Sequence, residues 1–203
     1  MKKVLLLTSS LFAENGQSSA MAAMLKAELQ AQGKDVSVTE KDLVALDLPH
    51  LGAEEMGAWM TPVDERSEAQ QALAQRSDLL IEELMAHDVI VLAAPLYNLG
   101  IPSQVKAYFD RLLRAGVTFK YTAEGPKGLV EGKQALVLAA RGGIYAGSEA
   151  DSQTPHIKTM FGLMGVSDLT FVYAEGLAVG PQMKEEALSA ARAQIQAYVA
   201  EQI

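Results

Sequence analysis

Val89-Ile90-Val91-Leu92-Ala93-Ala94, running directly into Pro95-Leu96-Tyr97-Asn98-Leu99-Gly100-Ile101-Pro102, is the stretch whose reading decides the fold. Side chains alternate between the two faces of a strand, so six consecutive apolar residues leave it no polar face. Such a strand fits a parallel sheet covered by helices on both sides. Val4-Leu5-Leu6-Leu7 and Ala135-Leu136-Val137-Leu138-Ala139-Ala140 have the same character. Asp35-Val36-Ser37-Val38-Thr39-Glu40 and Leu169-Thr170-Phe171-Val172-Tyr173 mix polar with apolar residues and read as the sheet's edges.

Amphipathic segments separate these runs. Met21, Met24, Leu25 and Leu29 make one helical face that ends near Gly33. Leu73, Leu79, Leu80 and Leu84 give an apolar side to a long helical region from about Glu65 to Met85, with a break in it left open. Val105, Tyr108, Phe109, Leu112 and Leu113 follow Pro102, which suits a first turn. Thr154-Pro155 reads as a cap and first residue of a short helix, and Leu188, Ala191, Ile195, Tyr198 and Val199 form the last stripe. Five strands alternating with helices imply right-handed crossovers and an α/β fold of three layers: a doubly wound parallel five-stranded sheet between helices. With strands two and five at the edges the order is 2-1-3-4-5, the flavodoxin-like arrangement. The chain then reverses direction between strands one and three. The default ligand crevice lies at their carboxyl ends, between the loops 8–17 and 95–101.

The length of 203 residues suits a single domain spanning 1–203. Only residues 42–64 lack a clear period; with Pro49, Gly52, Gly57, Trp59 and Pro62 they read as an irregular loop that packs on something. The 17 Lys and Arg against 25 Asp and Glu leave a net charge of −8. That charge disfavours nucleic acid as a partner, and any anionic ligand must be held by local backbone donors. The absence of cysteine excludes disulfides, thiolate metal sites and a cysteine nucleophile. His50, His87 and His156 are too scattered for a metal site, so no metal is expected. Val4–Leu7 is too short for a signal-peptide core, and no apolar run approaches the roughly 20 residues of a membrane span. The expectation is a cytoplasmic protein that does not engage membranes.

Three segments carry chemistry. Thr8-Ser9-Ser10 closes strand one and Gly16-Gln17-Ser18-Ser19 opens the first helix, whose free N–H groups suit a phosphate. Ser10 and Ser18 add hydroxyls, and Gly16 permits close approach; equally, Ser18 serves merely as a helix cap. Neither GxGxxG nor GxxxxGK[ST] is present. Pro95 to Pro102 forms a rigid turn that either aims backbone groups at a planar heterocycle, with Tyr97 and Leu99 as walls and Asn98 as donor and acceptor, or simply joins strand to helix. Arg141-Gly142-Gly143-Ile144-Tyr145 allows a flat ligand close to the backbone, or is a flexible turn. All three fall at the carboxyl ends of adjacent strands. Trp59, Phe119, Tyr121, Tyr145 and Phe161 are stacking walls or core. Asp110 and Arg114 read as an i, i+4 ion pair. No Ser-His-Asp triad or strong nucleophile stands out, which leaves the chemistry to a cofactor.

Together Ser9-Ser10, Gln17-Ser18, Ala86-His87-Asp88-Val89-Ile90, Ala94-Pro95-Leu96-Tyr97-Asn98, Arg114 to Thr122, Gly125-Pro126, Arg141-Gly142-Gly143-Ile144 and Ala174-Glu175-Gly176 resemble the FMN-dependent NADH:azoreductases, a flavodoxin-like family of quinone and azo reductases. The resemblance implies that Ser10, Gly16, Gln17 and Ser18 hold the FMN phosphate. Pro95, Leu96, Tyr97, Asn98 and Leu99 would follow the isoalloxazine edge and ribityl chain; Ala140, Arg141, Gly142, Gly143 and Tyr145 would complete the pocket. Gly16 and Ala140 stand where serines are common, Leu99 where an aromatic is common and Tyr145 where a histidine often sits. These departures put substrate preference, rather than flavin binding, in doubt. The resemblance further implies a homodimer with active sites at its interface, where the 42–64 segment, Trp59, Phe119, Tyr121 and Phe161 would line the substrate cleft. NADH or NADPH would be the co-substrate of ping-pong two-electron reduction of quinones or of azo compounds to amines. Flavin N5, not a catalytic side chain, would carry the chemistry. A flavodoxin-like electron carrier exchanging electrons with a protein partner is the alternative.

Overall fold

The apolar runs become strands. In a computed structural model describing residues 1–203, the chain runs β1 (Lys2–Thr8), α1 (Gln17–Ala31), β2 (Val36–Asp42), α2 (Ala53–Met60), α3 (Glu68–Met85), β3 (Val89–Pro95), α4 (Ser103–Leu112), β4 (Phe119–Thr122), β5 (Gly125–Gly128), β6 (Gln134–Ala140), α5 (Gln153–Met164), β7 (Asp168–Ala174) and α6 (Pro181–Gln202). Five strands form one parallel sheet in the order β2-β1-β3-β6-β7. This is the expected 2-1-3-4-5 order once the separate β4–β5 hairpin is set aside. Every residue of β3 is buried, as a central strand covered on both sides requires.

The two faces build two cores. Leu5, Leu7, Ile90 and Leu92 meet Leu84, Tyr108, Phe109 and Phe161 from α3, α4 and α5. Val4, Leu6, Val89 and Val91 meet Met21, Leu25, Ile195 and Val199 from α1 and α6. β2 and β7 are only partly buried, as their mixed sequences indicate.

Several local expectations are corrected. Residues 42–64 are not one irregular loop: they contain α2 and a short 3-10 turn at Val63–Glu65. Only Glu55 and Ala58 of α2 are buried, so no apolar stripe announces the helix. Its anchor is instead a forked ion pair: Arg111 on α4 donates from Nε to Glu55 Oε1 at 2.9 Å and from Nη2 to Glu55 Oε2 at 2.6 Å. α3 is unbroken and starts at Glu68, where Ser67 and Gln70 cap it reciprocally. α5 starts at Gln153, so Pro155 is the third residue of its first turn, where a missing N–H costs no helical bond. Asp110 pairs with Lys106, and Arg114 with Asp78, rather than with each other. Phe119–Thr122 is one arm of an antiparallel hairpin, a pairing absent from the five-strand reading.

Candidate active site

The carboxyl ends of β1, β3, β6 and β7 surround one crevice. After β1 the chain is held to its neighbour strand: Ser9 Oγ donates to Ala93 O at 2.9 Å. Leu11 N donates to the Tyr97 hydroxyl at 3.2 Å, and Phe12 N to Ser10 Oγ at 3.2 Å. α1 then begins at Gln17 with Gly16 as its cap residue and no side-chain capping bond. The first N–H of this helix with a backbone acceptor is that of Ala20, bonded to Gly16 O at 2.9 Å. The N–H groups of Gln17, Ser18 and Ser19 therefore stay free at the positive end of the helix dipole. Ser18 is not a cap: its Oγ is buried with no hydrogen-bond partner. Gly16 has an ordinary φ of −73°, yet a Cβ there would lie 2.0 Å from Ser10 Oγ and 2.6 Å from Ser10 Cβ. A side chain here would have to displace Ser10, so close approach, not backbone conformation, favours glycine in this chain.

After β3, Tyr97 and Gly100 exchange backbone hydrogen bonds of 3.0 and 2.9 Å across Asn98 and Leu99. Both central residues are left-handed, at φ 48° and 60°. Leu99 is a costly occupant of that conformation, by roughly 1–3 kcal/mol, and Ser152 Oγ donates to its carbonyl. After β6, the Arg141–Tyr145 turn is bonded to the strand-seven loop through Leu177 N to Arg141 O at 3.1 Å and Ala178 N to Gly142 O at 3.0 Å. The Tyr145 ring lies against Gly143: a Cβ on that glycine would be 2.8 Å from the phenol oxygen.

These turns enclose a cleft of about 240 Å³. Of the residues singled out in the sequence, Gly16, Gln17, Pro95, Leu96, Tyr97, Ala140, Arg141 and Gly142 line it. Ser10, Ser18, Asn98, Leu99, Gly143 and Tyr145 belong to the same turns but not to its walls. Phe12, Leu177 and Ala178 line it without having been singled out. Phe12 lies in the 8–17 loop after β1, and Leu177 and Ala178 follow β7, whose end must border a crevice bounded by β6. Larger hollows, of about 450 Å³ beside Pro181 and Arg192 and about 670 Å³ near Lys2 and Asp168, include no residue of the turns after β1, β3 and β6.

Arg141 meets the cleft differently from expectation. Its side chain is fully buried and committed to Asp151, Glu175, Gln153 and Thr154. Burial raises the Asp151 carboxyl pKa, but hydrogen bonds from Thr154 and Arg141, with the guanidinium charge, hold it below its ordinary value.

The four aromatics expected over a substrate do not border this cleft. Phe161 is wholly buried, edge-on to Phe109 at 5.1 Å, and belongs to the core. Phe119 is buried with its edge against Tyr121, which is 75% exposed on the hairpin. Trp59 lies under the Arg114 guanidinium at 5.4 Å, with its Nε1 buried and unbonded. The 42–64 segment contributes no wall either.

A family model described as the flavodoxin-like fold matches residues 2–199. The chain belongs to the flavodoxin-like family. Similar proteins within it include two named FMN-dependent NADH:quinone oxidoreductase. That of Alteromonas mediterranea is 51% identical over 197 residues, covering 96% of this chain and 97% of its own. That of Burkholderia pseudomallei is 49% identical over 197 residues, covering 97% and 100%. Among solved structures, an azoreductase from Bacillus anthracis superposes with a TM-score of 0.89 at 29% identity, covering 98% of this flavodoxin-like chain and 99% of its own. An FMN-dependent NADH-azoreductase from the same organism, in complex with FMN, gives 0.87 at 24% identity with 98% of each chain covered, and shares the fold.

Proposed function

We propose that this protein is an FMN-dependent NADH:quinone oxidoreductase that also reduces azo compounds. The observation that carries the reading is the unmet donor set at the start of α1: three free N–H groups and the buried, unbonded Ser18 hydroxyl. A buried donor without a partner costs about 1–3 kcal/mol, a cost that a bound phosphate removes. The names borne by the relatives supply FMN, NADH and quinone as the ligands that such a site would serve.

Gln17, Ser18 and Ser19 would hold the phosphate through their N–H groups, with Ser10 beside them. Leu96, Tyr97 and Asn98 would flank the ring and ribityl chain, and Gly142 and Gly143 would let the β6 turn approach the ring. FMN held there would supply the redox chemistry, a two-electron transfer between NADH and the second substrate. The protein's part is to orient the partners and exclude water. One cleft serves both substrates in turn, so ping-pong kinetics are expected, with two rounds for each azo bond. We also place the enzyme in the cytoplasm as a homodimer, with Trp59, Phe119 and Tyr121 over the partner's cleft.

The test is direct. Purified protein should carry or take up FMN and oxidise NADH with a soluble quinone and no partner protein. Parallel double-reciprocal plots are expected. Flavin uptake without NADH oxidation would mark an electron carrier instead, and protein that takes up no FMN would defeat the reading. Titration with NADH and NADPH separates the two co-substrates.

A further inference from the structure

Arg141 is a charged residue in an apolar sheet end, and the FMN reading gives its side chain no task. It is fully buried. A guanidinium has five N–H donors, and five bonds leave this one. Nε donates to Gln153 Oε1 at 3.0 Å. Nη1 donates to Asp151 Oδ2 at 3.1 Å and to Glu175 Oε1 at 3.0 Å. Nη2 donates to Asp151 Oδ1 at 3.1 Å and to Thr154 Oγ1 at 2.8 Å. Nothing remains to offer a ligand.

Two of these partners continue to the cleft. Glu175 Oε1 also accepts from Tyr145 N at 2.9 Å and Ala146 N at 3.0 Å, which pins the far end of the β6 turn. Gln153 Nε2 donates to Pro95 O at 3.0 Å, where the β3 turn begins. The two turns that wall the cleft thus share one buried cation. Stability alone does not call for this arrangement, since a buried ion pair is often no better than apolar packing of the same volume. Fixed geometry between two turns does call for it, because a planar fork holds its acceptors in set directions.

We propose that Arg141 is a positioning residue: acting through Glu175 and Gln153, it fixes the spacing of the β3 and β6 turns to the width of the flavin ring. The inference rests on the FMN reading. An ammonium has three donors and no fork, so Arg141→Lys keeps the charge and loses the geometry. Glu175→Gln keeps an acceptor oxygen for Tyr145 N and Ala146 N but loses the charge that faces Arg141. The measurements are the FMN dissociation constant of the apoprotein, the melting temperature of the apoprotein, and kcat and KM for NADH with benzoquinone at saturating FMN.

Arg141→Lys should weaken FMN binding by about tenfold, the loss of roughly one charge-assisted hydrogen bond. It should also raise KM for NADH several-fold in the FMN-saturated enzyme. Glu175→Gln should move both in the same direction and by less. A variant that melts lower, yet matches wild type in FMN affinity and in KM, shows a purely structural role and overturns the proposal. Should Arg141→Lys not fold, Glu175→Gln decides alone by the same criteria; its side chain is 14% exposed and its substitution is isosteric. Failure of the FMN reading is distinct, since it appears as wild-type protein that binds no FMN.

Discussion

Ser18 gives the sharpest view of the site at the scale of a residue. Its hydroxyl is buried and bonded to nothing, so it weakens the apoprotein and strengthens only a complex that completes it. Ser18→Ala should therefore leave the apoprotein's melting temperature unchanged or raised, while the FMN dissociation constant rises by about tenfold, the equivalent of about 1.4 kcal/mol. Thermal melts with and without FMN check both halves, and an equal loss in the two would mean that Ser18 is structural. The donor set at Gln17 to Ser19 was legible in the sequence because a helix start after a strand always leaves free N–H groups. The side-chain direction of Arg141 was not. An arginine beside two glycines reads equally as ligand or anchor until its buried acceptors, which come from Asp151, Gln153 and Glu175, are in view.

At the scale of elements, what could be read depended on what each element buries. β1, β3 and β6 were legible because their runs Val4–Leu7, Val89–Ala94 and Ala135–Ala140 are apolar on both faces; α2 was not, because its main inward residue is Glu55. That helix is consequently tied down by charge. Arg111 is completely buried and Glu55 is 4% exposed, with Arg76 at 3.5 Å as the remaining cation. Arg111→Met should cost about 3–5 kcal/mol, because it strands a buried carboxylate. Arg111→Met combined with Glu55→Leu should recover most of that loss in urea unfolding; an additive loss would refute the coupling. The start of α5 is held in the same way, and here the dependence on pH has a definite sign. Asp151 has a folded pKa below its ordinary 3.8, so the folded state favours its charged form. The stabilisation is present in full above about pH 3.8 and is lost as pH falls through the lowered folded value. Acid unfolding of Asp151→Asn, compared with wild type, should lack that part of the decline, and the two curves should converge toward low pH.

At the scale of the whole molecule, the net charge of −8 and the proposed anionic cofactor pull against each other. The free donors of α1 act at contact distance and are little affected by salt, whereas the acidic surface repels a phosphate from afar. The Debye length shrinks from about 30 Å at 0.01 M to about 10 Å at 0.1 M ionic strength. Added salt therefore removes the repulsion before it touches the contact. FMN association measured by stopped-flow flavin fluorescence should accelerate over that range, and the dissociation rate should stay nearly constant. The opposite trend, a fall in affinity with salt like that of a polycation on a phosphate backbone, would mean that lysines or arginines hold the phosphate. The site would then have to lie away from α1, whose first turn carries no charged residue.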